Sequence, residues 1–367
     1  MPPSDRNSTF LFVTCQVGAE PAVKEELARR WPDVHAAYAR PGLITFKVPP
    51  DHPMRPDFDL RSVFARASGL SLGQASGDDA TQRAHSVWDL LGPQTVARVH
   101  VWPRDVKRPG EDDFEPSITP AAVEVREAIR QACPRPEQLD ADDRDWRRPA
   151  RSGELVLDVI LVEPQQWLVG YHQATSQRSL WPGGMMPLEL PPDAVSRAWL
   201  KMEEALRWSS LPIPPSSRVA ELGSAPGGAS QALLSHGLIV MGVDPAEMDA
   251  RVLANPNFTH LRRRAVEVRR REFRRVHWLT ADMNVAPSYT LDAVEAIVTH
   301  PEVNIRGMLI TLKLFQWQMA REIPSYLDRV RSWGYNLVSA RQLQHDRQEI
   351  CVAALQSPFI RKPTHRR

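Results

Sequence analysis

Apolar and polar positions follow two different rhythms along the chain. In the first half, residues 9–17 form an apolar, β-prone run, and residues 21–30 take helical spacing, with Pro21 at a first-turn position and acidic residues early. Residues 42–48 then read as a strand. This strand–helix–strand spacing suits a compact ferredoxin-like unit. Residues 94–102 predict a further strand and residues 121–133 a helix. Residues 154–163 and 166–171 predict two strands joined by a turn at Pro164, and the charged stretch 135–151 reads as a loop.

The second half alternates strands with helices. Strands are predicted over residues 218–223, 238–244, 277–282, 307–314, 335–343 and 349–355. Helices are predicted over 228–236, 291–300 and 316–333, the last ended by Gly334, and residues 196–206 form an amphipathic stretch ahead of the first strand. The polar residues 344–348 join the last two strands as in a hairpin. Such alternation predicts an α/β fold, a mostly parallel, Rossmann-like sheet with helices on both faces. Ligands in such sheets bind outside the carboxyl ends of the strands.

A chain of 367 residues is long for one core, so two domains are expected. The 33 prolines cluster at 49–56, 182–192 and 212–215, and residues 181–192 make the best boundary. A net charge of +2 is nearly neutral, so the distribution of charge says more than its sum. Cys15, Cys133 and Cys351 are odd in number and far apart, which argues against a disulfide framework and against a zinc site. The first fifteen residues lack a basic stretch followed by an apolar run, and no segment approaches about 18 uninterrupted apolar residues. A cytoplasmic protein with no membrane partner is expected.

The first strand of the second half runs into the loop ELGSAPGGAS, residues 221–230. Gly223 allows a tight turn, and Gly227 and Gly228 let backbone approach a ligand closely. The Gly-Lys-Ser/Thr ending of a P-loop is missing, and so is G-x-G-x-x-G. A zwitterion such as the amino-acid end of S-adenosylmethionine suits this loop better. Asp244, ending the next strand, is placed to accept hydrogen bonds from a ribose diol.

Four charged residues fall at strand ends or just before the sheet. Asp282 ends one strand, Lys313 lies in the apolar run LITLKLF, Glu349 starts the last strand, and Lys201 sits in the amphipathic stretch. A lysine among apolar residues is costly unless paired. Taken singly, each residue reads as a surface ion pair; strand order predicts that they converge. A ribose hydroxyl is a weak acid, and a neutral lysine amine is a suitable base for it. Burial and a second cation would lower the Lys313 pKa, while Asp282 and Glu349 would raise it. No metal is called for, because a sulfonium supplies its own electrophile and no ligands cluster in the sequence.

Residues 261–276, LRRRAVEVRRREFRRV, hold eight arginines, which suit phosphates and bases. Arg104, Lys107 and Arg108 make a lesser basic group beside Trp102. Trp31, Trp88, Trp102 and Trp146 are candidates for base stacking, although each is more often a core residue.

At these motifs the chain resembles a known family. The second half is similar to the FtsJ-like RNA ribose 2′-O-methyltransferases, and more closely to the RlmM family, which methylates a cytidine ribose in bacterial 23S ribosomal RNA. The likeness is carried by Trp181-Pro182-Gly183, Pro192-Asp193-Ala194, Ser196-Arg197, Leu200 to Ala205, Ala225-Pro226-Gly227-Gly228, Val243-Asp244, Asp282-Met283, Leu312-Lys313-Leu314, Ala340 to Leu343 and His345-Asp346-Arg347. The resemblance implies S-adenosylmethionine as cofactor, with contacts from Ser196, Gly223, Ala225, Pro226, Gly227, Gly228, Asp244 and Asp282. It places a Lys-Asp-Lys-Glu tetrad on Lys201, Asp282, Lys313 and Glu349, with Lys313 as general base. It implies an N-terminal ferredoxin-like plus THUMP-like α+β RNA-binding region over residues 1–180 and the methyltransferase over 181–367. Two positions depart from the family's pattern. Ala229 stands where an aromatic is common, and the adenine-side acid is replaced by residues 262–267, where Glu267 is the substitute at hand. The expected partner is RNA, 23S ribosomal RNA first and tRNA or another RNA as alternatives; DNA is not expected, and oligomeric state is not legible. An RNA-binding assembly factor without turnover is the competing class, which the intact tetrad disfavours.

Overall fold

The computed structural model describes residues 10–51 and 53–356. Thr9 of the first predicted strand and His52 of the 49–56 proline stretch lie outside them. The chain divides into two units between Pro187 and Leu188.

The first unit contains β1 (Phe10–Cys15), α1 (Glu20–Arg30), β2 (His35–Arg40), β3 (Leu43–Lys47), β4 (Ala65–Gln74), α2 (Ala80–Leu91), β5 (Arg98–Pro103), α3 (Pro120–Gln131), β6 (Leu155–Glu163) and β7 (Gln166–Gln173). They build one seven-stranded sheet in the order β2-β3-β1-β4-β7-β6-β5. The first four strands are antiparallel and in ferredoxin-like order. Among the described residues no second helix separates β3 from β4, and β4 instead pairs onward with β7. The ferredoxin-like part is therefore continuous with the rest of the sheet. β4 pairs with β1 on one side and β7 on the other, and it is closely approached at Gly69, where a Cβ would stand 2.7 Å from Phe12 Cε1 and from the Tyr171 carbonyl oxygen.

Helices α2 and α3 pack together over β5, β6 and β7. Asp79 caps α2 by accepting from Gln82 N at 2.8 Å, and Thr119 caps α3 ahead of Pro120. Trp88 is in the core and donates its Nε1–H to the Ile129 carbonyl at 2.8 Å. Trp102 is 2% exposed. Neither is a base-stacking surface, which corrects that expectation for both. Arg104 is likewise spent on structure, donating to the Val162 and Pro41 carbonyls and to Glu163.

The second unit contains α4 (Ala198–Ser209), β8 (Arg218–Leu222), α5 (Gly228–Ser235), β9 (Ile239–Val243), α6 (Ala250–Leu253), β10 (Phe258–Leu261), β11 (Trp278–Ala281), α7 (Pro287–Val298), β12 (Gly307–Lys313), α8 (Ile323–Ser332), β13 (Leu337–Arg341) and β14 (Glu349–Leu355). The sheet order is β10-β9-β8-β11-β12-β14-β13. Strands β10 to β12 are parallel, and β14 runs antiparallel between β12 and β13. From β8 the chain winds outward to β10, then returns to β11 on the other side. The crevice lies at that reversal, at the carboxyl ends of β8 and β11. The single helix expected over 316–333 is two pieces, a 3-10 segment Trp317–Glu322 and then α8. Pro324 is the reason: it has no N–H to donate back, so a new helix starts with proline in its first turn.

Candidate active site

Helix α4 buries Leu200, Met202, Glu203, Glu204 and Ala205 and leaves Lys201 half-buried at the carboxyl edge of the sheet. Asp282 follows β11, Lys313 ends β12, and Glu349 opens β14 directly across from Lys313. The four side chains close a ring. Lys201 Nζ lies 3.0 Å from Asp282 Oδ2 and 2.6 Å from Glu349 Oε1. Lys313 Nζ lies 2.8 Å from Asp282 Oδ1 and donates to Glu349 Oε2. Each lysine bridges both carboxylates, so convergence expected from strand order is what the fold produces.

Burial opposes the charges of Lys201, Asp282 and Glu349, and the pairing outweighs it for each. Asp282 and Glu349 are held below the usual carboxylate range by Lys201 and Lys313. Lys201 is held above the usual lysine range by Asp282 and Glu349. Lys201 is thus held as a cation between the two carboxylates.

Three further buried acids were not singled out for a role from sequence. Glu204 accepts the Gln344 backbone N–H with both oxygens, at 3.0 and 2.8 Å, tying α4 to the segment before β14. Asp346 accepts the Leu343 N–H at 2.9 Å, and burial pushes its carboxyl well up. Glu221 accepts from Ser230 Oγ; burial, with Asp282 and Asp244 adding to it, pushes its carboxyl up to about 8. Only Glu221, in the run VAEL, stands out in the sequence as an acid amid apolar neighbours.

The glycine loop sits beside the ring. Gly223 has φ +79°, and a Cβ there would stand 2.4 Å from the Asp282 carbonyl oxygen. Asp282 N donates to the Leu222 carbonyl and Gly223 N to the Val243 carbonyl. Asp244 accepts from Ala225 N at 3.1 Å and Ala246 N at 2.8 Å, so it braces two loops while each oxygen keeps a second lone pair. A Cβ on Gly228 would meet Ser196 Oγ at 2.2 Å, which puts Ser196 against the turn. Glu267 is exposed and accepts the Arg264 N–H within its own 3-10 turn. The carboxylates of Asp244 and Asp282, with the N-terminus of α5 beside them, fit an ammonium and a carboxylate borne by one ligand.

The basic stretch runs from the carboxyl end of β10 back to the start of β11. Seven of its eight arginines are exposed, all but Arg270. Arg262 pairs with Glu247 and Arg274 with Glu302.

Residues 194–331 match the family model described as FtsJ-like methyltransferase. This segment of the chain is similar to the FtsJ-like methyltransferases. The FtsJ-like segment holds the loop, Lys201, Asp282 and Lys313; Glu349 lies beyond it. Over nearly its whole length the chain is similar to proteins named ribosomal RNA large subunit methyltransferase M. The relative from Halorhodospira halophila is 28% identical over 95% of this chain and 97% of its own. That from Xanthomonas oryzae pv. oryzae is 28% identical over 94% and 99%. That from Saccharophagus degradans is 32% identical over 52% and 57%.

Proposed function

We propose that this enzyme methylates a ribose 2′-hydroxyl of RNA, a cytidine of the 23S ribosomal RNA, in the cytoplasm. The observation that carries it is the closed Lys201–Asp282–Lys313–Glu349 ring beside the glycine loop. The target follows the relatives' name and the RlmM resemblance. Bound in the loop, S-adenosylmethionine supplies a sulfonium methyl that is already a strong electrophile. The protein's task is then to align and deprotonate a poor nucleophile. Lys313 would take the 2′-hydroxyl proton as the oxygen attacks the methyl carbon; the carbon–sulfur bond would break in the same step and S-adenosylhomocysteine would leave. Lys201 orients the hydroxyl and keeps both carboxylates neutralised. Asp282 and Glu349 hold the two amines at fixed positions. Asp244 receives the ribose of the cofactor, and Ser196 with Ala225, Pro226, Gly227 and Gly228 forms its cradle. Residues 1–180 act as the RNA-binding region and 181–367 as the methyltransferase, the exposed arginines of 262–275 adding phosphate contacts.

The test is incubation with methyl-labelled S-adenosylmethionine and unmodified 23S ribosomal RNA, followed by nucleoside analysis. Label in a 23S ribose is expected. Label only in tRNA overturns the substrate, and label in no RNA overturns the activity.

A further inference from the structure

The sequence shows no clustered metal ligands, yet three strands of the first unit bring a set together. His100 in β5 is the direct partner of Asp158 in β6, and Asp158 lies diagonal to His172 in β7, whose own partner is Val156. Side chains alternate along a strand, so this register puts all three on one face. One donor atom from each lies within 4.8 Å of the others. All three residues are more than nine-tenths buried.

Hydrogen bonding around the cluster is lopsided. His172 Nε2 lies 2.8 Å from the Ser179 carbonyl and donates to it, which turns Nδ1 toward Asp158 Oδ2 at 2.6 Å. A ligating imidazole is typically fixed in this way, its second N–H given to a carbonyl. Both ring nitrogens of His100 and Asp158 Oδ1 have no hydrogen-bond partner among the described residues. Buried polar atoms are rarely left so. The nearby cations carry their own counter-charges: Arg98 pairs with Glu154 at 2.9 Å and Arg126 with Asp143 at 2.6 Å.

We propose that His100, Asp158 and His172 bind one divalent transition-metal ion of the zinc class. Two imidazoles and a carboxylate are a common donor set for it. A cavity of about 30 Å³ lined by Asp158, His172, Ser179 and Trp102 adjoins the cluster and has room for a water as fourth ligand. The Nδ1–Oδ2 separation of 2.6 Å opens to about 3.3 Å, the edge of a tetrahedron with bonds of about 2.0 Å. The ion takes the place of the proton between His172 and Asp158, and it gives His100 the partner it lacks. Metal capture here stands apart from methyl transfer in the second unit, and either holds without the other.

The test uses the full chain, stripped with a chelator and titrated calorimetrically with Zn²⁺. About one equivalent should bind with micromolar or tighter Kd, and the melting temperature should rise by about 5 °C. Co²⁺ should give the visible absorption bands of a tetrahedral site. His100→Gln and Asp158→Asn should each abolish those bands, while the exposed-histidine variant His236→Ala keeps them. No saturable Zn²⁺ binding by the wild-type chain overturns the proposal, whether or not the variants fold. Cobalt bands that survive in both folded variants overturn it as well.

Discussion

Lys313 and Glu349 face each other as direct partners across β12 and β14, so the register of one antiparallel strand pair sets the distance between the proposed base and its carboxylate. Backbone hydrogen bonds on both sides of the pair make that distance hard to change. Lys313→Ala is expected to lower kcat about 10³-fold, within the range that general bases contribute. Affinity for S-adenosylmethionine, read by calorimetry, should stay within about threefold. A variant with wild-type kcat would remove Lys313 from the mechanism.

Glu204 touches no reacting group, yet it holds α4, and with it Lys201, to the segment leading into β14. Glu204→Gln places an amide NH₂ where one oxygen accepted from Gln344. The expected cost is about 1–3 kcal/mol of stability, with a fall in kcat and little change in KM for S-adenosylmethionine. Chemical denaturation and steady-state kinetics would show a different split if Glu204 only filled space.

Glu221 gives a signed pH dependence. Its carboxyl titrates near 8 when folded and near the ordinary value of about 4.3 when unfolded. Between those values the folded state binds the extra proton, so this contribution to stability falls as pH rises through the window. Glu221→Gln should flatten the stability profile between about pH 4.5 and 8, measured by urea unfolding at stepped pH. Asp282 and Glu349 act in the opposite sense. Their folded values are depressed, so their contribution is complete above the ordinary carboxylate range and is lost as pH falls below it.

Gly223→Ala and Gly237→Ala make a matched pair, since both glycines have positive φ. A Cβ at 237 meets nothing within 4 Å, so that variant should lose only about 1–2 kcal/mol for the left-handed backbone. At 223 the Cβ runs into the Asp282 carbonyl, so the ring must shift. Methyl transfer should fall at least tenfold in Gly223→Ala alone, assayed on folded protein.

Arg263, Arg269 and Arg275 are exposed on the basic stretch. Each change to Ala should raise KM for RNA and reduce the salt slope of RNA binding by about 0.7–0.9, with S-adenosylmethionine affinity unchanged. An unaltered salt slope would move the RNA surface elsewhere.

The alternation of the second half made its sheet legible, and a lysine inside LITLKLF drew attention to Lys313 before any distance was known. The elements that escaped notice have physical reasons. β2 is an edge strand with every side chain exposed and no apolar alternation to read. β4 is interrupted by Gly69 and Gly73, which weaken its apolar alternation, and Gly69 lies against Phe12. β10 is four residues long. Helix α2 did carry a legible cap, Asp79 three residues before Gln82. His100, Asp158 and His172 were invisible as a set because cross-strand register, rather than spacing along the chain, unites them.

The place of β14 between β12 and β13 also governs when the centre comes into being. Lys201, Asp282 and Lys313 leave the ribosome first, in that order, and β13 follows them. Glu349 arrives last, on a strand that must slot between two already made. Until it does, two lysines share one carboxylate and the ring stays open. A chain that stops before β14 therefore carries Lys201, Asp282 and Lys313 but cannot close the ring, because both contacts that complete it belong to Glu349.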